Sequence, residues 1–136
     1  MPKQSRTRPV TAAQVRAYLG KAEEFLEAAK SELGAGRPIA ATSLAIHAAI
    51  NAADAVTGAR TGQRAAGQDH DEVLRLITDA GKDGAEVHKN LVRLLPMKTK
   101  TEYLPEDIPL STAKAAVERA KRCVAVARRV VGQDTL

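Results

Sequence analysis

A chain of 136 residues, 44% of them hydrophobic, is long enough for one domain with a real core and too apolar for a disordered one. One phenylalanine, two tyrosines and no tryptophan exclude an aromatic-rich β-sandwich or barrel and weaken any scheme in which bases stack on an aromatic platform. A net charge of +5 favours phosphate-bearing partners, and the single Cys123 excludes an internal disulfide or a cysteine-built zinc site.

Residues 1–10 carry Lys3, Arg6 and Arg8 without an acid. No apolar run follows, so they read as a basic disordered arm and not as a secretory leader. The bundle itself is expected over residues 11–132, with a short tail at 133–136. Thr11 and Gln14 have the spacing of a capping box. Val15, Tyr18, Leu19, Ala22, Phe25, Leu26, Ala29 and Leu33 then repeat at helical spacing, which predicts a first helix over 11–34 that Gly34 and Gly36 end. Pro38 opens a second helix over 38–57, with Gly58 as its stop. Its eight alanines and its Ile39, Leu44, Ile46, Ile50 and Val56 make it small or apolar nearly all round, the pattern of a central element. Its uncharged run, 38–53, is too short to span a bilayer, and no membrane association is expected.

A Gly-rich basic loop follows over 58–68. Asp69 with Glu72 predicts the cap of a third helix over 69–80, and Asp83 with Glu86 the cap of a fourth over 83–95. Pro96 stops the fourth, and residues 97–110 read as a polar connection. Ser111 caps a last helix over 111–131. The fold class is therefore all-α, an antiparallel up-and-down bundle of four to five helices. The last helix carries Lys114, Arg119, Lys121, Arg122, Arg128 and Arg129 against Glu118 alone, a cationic surface suited to a phosphate backbone or simply a solvated face. A lone thiol and the lack of a leader point to a reducing cytoplasm.

Nucleotide-cradling, zinc-protease and nucleophile-elbow motifs are absent, and no metal or cofactor is expected. Three constellations remain. Ser43, His47, Asn51 and Asp54 are spaced i, i+4, i+8, i+11, a polar stripe on an otherwise apolar helix. Buried polar groups need partners, so the stripe reads first as an internal hydrogen-bond network. The alternatives are a ligand or RNA-backbone pocket and a polar seam between two copies of the chain. Arg64 and His70 are separated by five residues, and such a pair can hold a phosphate and move a proton on a ribose 2′-hydroxyl. The competing reading is a chance neighbour in a basic chain. Lys98, Lys100, Glu102 and Tyr103 place two cations, a carboxylate and a phenol just past a helix end, where they grip phosphate or form a solvated turn anchored by Tyr103. Cys123, on an apolar stripe, reads as an inert buried thiol.

Taken together, "FLEAAK" at 25–30, "SLAIHAAINAADAV" at 43–56, "GQDHDEVLRLI" at 67–77, the basic turn 98–103 and the Ala-rich last helix resemble the HEPN domain family over residues 11–131. The resemblance implies a helical bundle that usually dimerises. It also implies a toxin–antitoxin or defence setting, with an antitoxin or nucleotidyltransferase as partner and RNA or nucleotide as ligand. Many members are metal-independent endoribonucleases whose motif is an Arg, four to six residues, then a His, at the turn before the last long helix. Here those positions hold Lys98 and Tyr103. A lysine lacks the guanidinium fork, and a phenol is mostly protonated at neutral pH and a poor general base. Arg64 and His70 keep the spacing but stand earlier in the order. The expectation is an RNA- or nucleotide-binding module with weak or absent turnover, contacting its ligand near Arg64, His70, Lys98, Lys100 and Tyr103. A ribonuclease toxin and a protein–protein interaction bundle are the alternatives. A homodimer is expected because the second helix carries more apolar surface than one small bundle needs.

Overall fold

The Thr11 side chain accepts from the Gln14 N–H at 3.1 Å, and the Gln14 side chain accepts from the Thr11 N–H at 2.9 Å. This reciprocal cap starts helix α1 (Ala12–Gly34). In the computed structural model, which describes residues 7–66 and 70–134, a turn at Gly36 with φ +76° folds the chain back into α2 (Pro38–Thr61), with Pro38 in its first turn. The fold-back continues beyond the helices. Strand β1 (Thr7–Pro9) pairs antiparallel with β2 (Gln63–Ala65), in the register Thr7 with Ala65, Arg8 with Arg64 and Pro9 with Gln63. Phe25 meets His47, Val10 donates to the Gly62 carbonyl and Arg8 pairs with Arg64, so all three contacts are centred on residue 36. The first half of the chain is one long hairpin.

Two expectations change here. The basic arm is not irregular up to residue 10, because Thr7–Pro9 are held in the ribbon; residues 1–6 lie outside the described residues. Helix α2 does not stop at Gly58 but runs a further turn to Thr61, and the left-handed Gly62, φ +73°, ends it. Gly58 serves another purpose: a Cβ there would meet Val10 and Val15 methyls at 2.7 Å, so the missing side chain lets the β1–α1 junction lie against α2.

The rest of the chain wraps this hairpin: α3 (His70–Thr78), α4 (Gly81–Leu94), α5 (Met97–Tyr103) and α6 (Leu110–Asp134). The Asp69 cap of the third helix falls outside the described residues. The capping box expected at Asp83 and Glu86 does not form. Gly81, φ +72°, turns the chain early and α4 begins there without a side-chain cap. Asp83 instead accepts from Arg60 of α2 at 3.0 Å and from Arg129 of α6 at 2.8 Å, and these two guanidiniums hold its carboxyl below the usual range. Gly84 is buried where α4 crosses α3, and a Cβ there would overlap the Ile77 carbonyl.

The polar connection expected over 97–110 is helical in its first half. After Pro96 the chain makes α5, in which Thr101 is buried and its hydroxyl donates to the Met97 carbonyl at 2.6 Å. Leu104, extended before Pro105, ends it. Helix α6 begins at Leu110, with the Pro109 carbonyl accepting from Thr112 and Ala113, so Ser111 lies within the first turn and is not its cap. Six helices are therefore present among the described residues, one more than expected, in an all-α bundle whose only sheet is the two-stranded ribbon.

The core is built of small side chains. Ala41, Ala45, Ala48, Ala49, Ala52, Ala53 and Ala55 of α2 are fully buried, facing α6 residues such as Val124 and Val130 and α1 residues such as Leu26. By length and composition α2 is apolar enough to span a membrane, but α1, α3, α4, α5 and α6 cover it. The alanine face that contributed to the apolar surplus of α2 is covered within the chain. Of the large apolar side chains on α2, Ile39 is exposed and Leu44 and Ile50 are half-buried.

Candidate functional site

The polar stripe of α2 is not a closed internal network. Ser43, His47 and Asn51 are half-buried, and only Asp54 is buried. Opposite them α1 presents Phe25 and Tyr18, seven residues apart and so on one face. The Phe25 and His47 rings are 5.5 Å apart and tilted by 31°. The result is a shallow groove between two antiparallel helices, one wall polar and the other aromatic. It runs from α5 at one end to β2 at the other.

At the α5 end, His47 Nε2 lies 3.2 Å from Glu102 Oε1. The imidazole is 38% exposed, so a charged pair here is solvated and contributes little to stability. One turn below, an open groove of about 520 Å³ is lined by Arg37, Ile39, Ser43, Thr101 and Glu102. Asn51 spends its amide on its own helix, donating to the His47 carbonyl at 2.8 Å.

At the β2 end, Arg64 arches over the Tyr18 ring, 5.7 Å from its centroid, and donates to the Ala65 carbonyl at 3.0 Å. Beneath lies Asp54. Burial pushes its carboxyl up to about 7, against the opposing pull of Arg64 and then Lys21. Among the described residues no hydrogen bond or ion pair reaches that carboxylate, so it is a buried acid with cations near it and none in contact. Arg8 adds to the cations: as the ladder partner of Arg64 it stands on the same face of the ribbon.

The other candidates sort clearly. Arg64 is in this cluster. His70 opens α3 beyond residues 67–69, which lie outside the described residues; α3 packs against β2, and among the described residues no hydrogen bond or ion pair joins His70 to Arg64. Lys98, Lys100 and Tyr103 lie on α5 and not on a loop. At about 100° per residue, positions five apart project about 140° from each other, so Lys98 and Tyr103 do not converge. Tyr103 does not anchor the segment; it is 71% exposed, and Thr101 is the residue that packs inward. Cys123 is buried, and burial pushes its thiol up to about 12.

The cationic face of α6 is largely committed to structure. Arg128 binds Glu23 of α1 at 2.8 Å, Arg129 binds Asp83, Arg119 reaches Asn90 at 3.5 Å and Lys121 pairs with Glu118. The residues sequence reasoning missed are Tyr18, Lys21, Phe25 and Arg8. The signal available was that two of three aromatic residues share one helix face; helical periodicity assigned them to the core.

A family model for the HEPN domain matches residues 15–133, which takes in both walls of the groove, Arg64 and α5. No curated protein matches the chain. The coverage, from within α1 to the end of α6, settles the family: the chain belongs to the HEPN domain family.

Proposed function

We propose that this domain binds RNA or a nucleotide along the α1–α2 groove and cleaves it weakly or not at all. The observation that carries the reading is Arg64 laid across Tyr18, with Lys21 and Arg8 beside it: a cationic end on a groove that holds two of the chain's three aromatic rings. Cations attract the phosphates, and an exposed ring edge or face accepts a base. Lys98 and Lys100 extend the positive potential past the α5 end. The geometry of α5 supports weak turnover. Strand scission at a 2′-hydroxyl needs a base and a fixed cation at one phosphate, and Lys98 and Tyr103 point apart. In this reading the domain works in a reducing cytoplasm within a toxin–antitoxin or defence system, beside an antitoxin or nucleotidyltransferase.

The test is incubation of the purified protein with labelled single-stranded RNA across a salt series, read by anisotropy for binding and by gel for integrity. Affinity that falls with salt over intact RNA is the expected result. Robust cleavage lost in His70→Ala would transfer catalysis to Arg64 and His70. Cleavage lost in Lys98→Ala/Tyr103→Phe would make the α5 segment catalytic.

A second reading rests on a different observation. Ile39, Tyr103, Leu104 and Leu110 are exposed apolar side chains, and the last three lie on α5, its exit and the start of α6. They suit pairing with a second copy of the chain, and light scattering that reports a monomer at micromolar concentration would remove it.

A further inference from the structure

Among the described residues, the buried acid among the cations is tied to the helix bundle by no side-chain bond. Asp54 accepts no hydrogen bond and forms no ion pair among the described residues, although it is only 9% exposed. A carboxylate there for stability alone would be expected to touch Arg64, whose guanidinium instead bonds Ala65 and lies on Tyr18. The ribbon adds a second oddity. Arg8 and Arg64 are direct cross-strand partners, an arrangement that is repulsive unless an anion lies between or near them. The charged groups that act on Asp54 are Arg64 from β2 and Lys21 from α1, with Tyr18 of α1 under Arg64 and Arg8 of β1 on the face Arg64 occupies; on α2 itself the titratable group that precedes it is His47, seven residues away.

We propose that a phosphate group seats among Arg8, Arg64 and Lys21 and is bound together with one proton, which Asp54 carries. This rests on the RNA- or nucleotide-binding reading above and deepens it by naming the phosphate site and its acid. The chemistry is a competition between anions. An ionised Asp54 repels an arriving phosphate and occupies the field of the same cations, whereas a protonated Asp54 offers an O–H donor to a phosphate oxygen. Binding therefore draws one proton from solvent when the carboxyl starts ionised and none when it starts neutral. Because Asp54 titrates about 7, affinity is flat in acid and falls by up to tenfold per pH unit above neutrality.

The experiment titrates the full chain with a short oligouridylate, whose diester phosphates keep their charge from pH 6 to 8.5, and separately with sulfate. Calorimetry in two buffers of different ionisation enthalpy counts the protons. Uptake approaching one proton at pH 8, with affinity weakening above pH 7, is expected for the wild type. Asp54→Asn is expected to bind at pH 8 about tenfold more tightly than the wild type, with no uptake and no slope, and Arg8→Ala and Arg64→Ala to weaken binding at every pH. A slope that survives in Asp54→Asn, or binding unchanged in both arginine variants, would overturn the proposal while RNA binding stood. Absence of oligouridylate binding in the wild type at any salt would overturn the broader reading; sulfate bound with proton uptake would still support the site as one for free oxyanions. Uptake with both ligands supports a general phosphate site, and uptake with the oligonucleotide alone supports one for the nucleic-acid backbone.

Discussion

His47 and Asp54 stand two turns apart on one face of α2, yet the chain treats them in opposite ways. His47 is partly solvated and has a carboxylate from α5 at 3.2 Å. Asp54 is buried, has no direct partner, and its proton is held to about 7. The exposed pair can form or break at little cost, because water and salt replace whatever is lost. The buried acid cannot, and every change in its charge is felt by the fold. The same residue spacing thus produces a loose strap at one end of the groove and a proton-sensitive end at the other. What separates them is their neighbours: Arg64 of β2 and Lys21 of α1 act on the buried Asp54, while the short α5 leaves the His47 end open.

The largest effect expected is on stability against pH. The folded carboxyl of Asp54 titrates near 7 and the unfolded one near 3.8, so between those values the folded state holds a proton that the unfolded state has lost. Stability from this group is full below about 4, declines as pH rises to about 7 and is level beyond. At about 1.4 kcal/mol per pH unit, that window sets an upper bound of roughly 4 kcal/mol. Asp54→Asn is expected to remove the decline and to raise the urea midpoint at pH 8. Asp83, whose carboxyl is held low by Arg129 and Arg60, works in the other direction, losing its contribution as pH falls, so wild type and variant must be compared across the whole range.

Next in size is Gly58→Ala, which forces Val10 and Val15 away from α2 and lifts the ribbon from the Asp54 end. A loss of about 1–3 kcal/mol is expected from overpacking, with the His47–Glu102 contact intact. Cys123 is a convenient reporter: its buried thiol should label slowly in the native protein and faster in Gly58→Ala, since only global opening exposes it. The smallest effect belongs to Glu102→Gln. Removing this partly solvated contact should cost under about 1 kcal/mol and leave Cys123 labelling unchanged. A large loss in this variant would erase the contrast between the two ends.

Much of this was legible in the residues. The caps, the alanine-rich α2 and the polar stripe follow from local spacing, because helix periodicity is written every three to four residues. The long hairpin was not legible. That Arg8 meets Arg64 depends on Gly58 lacking a side chain and on Gly62 accepting a positive φ, and both glycines read equally well as ordinary loop punctuation. Helix α5 was missed because its stabilising contact, the burial of Thr101, is tertiary, while its composition of lysine, threonine and glutamate between two prolines suggests a turn. The basic α6 misled in a third way: counting charges along one helix could not reveal that Glu23 and Asp83 on other helices neutralise Arg128 and Arg129.

Amide chemical-shift mapping with a short oligoribonucleotide decides whether the α1–α2 groove and its Arg64 end are the ligand face. Perturbations are expected at Arg8, at Tyr18 and Lys21, along His47 to Asp54 and at Arg64, strongest near the ribbon. Perturbations confined to Lys114, Lys121 and Arg122 on the outer face of α6, with the groove silent, would contradict that assignment.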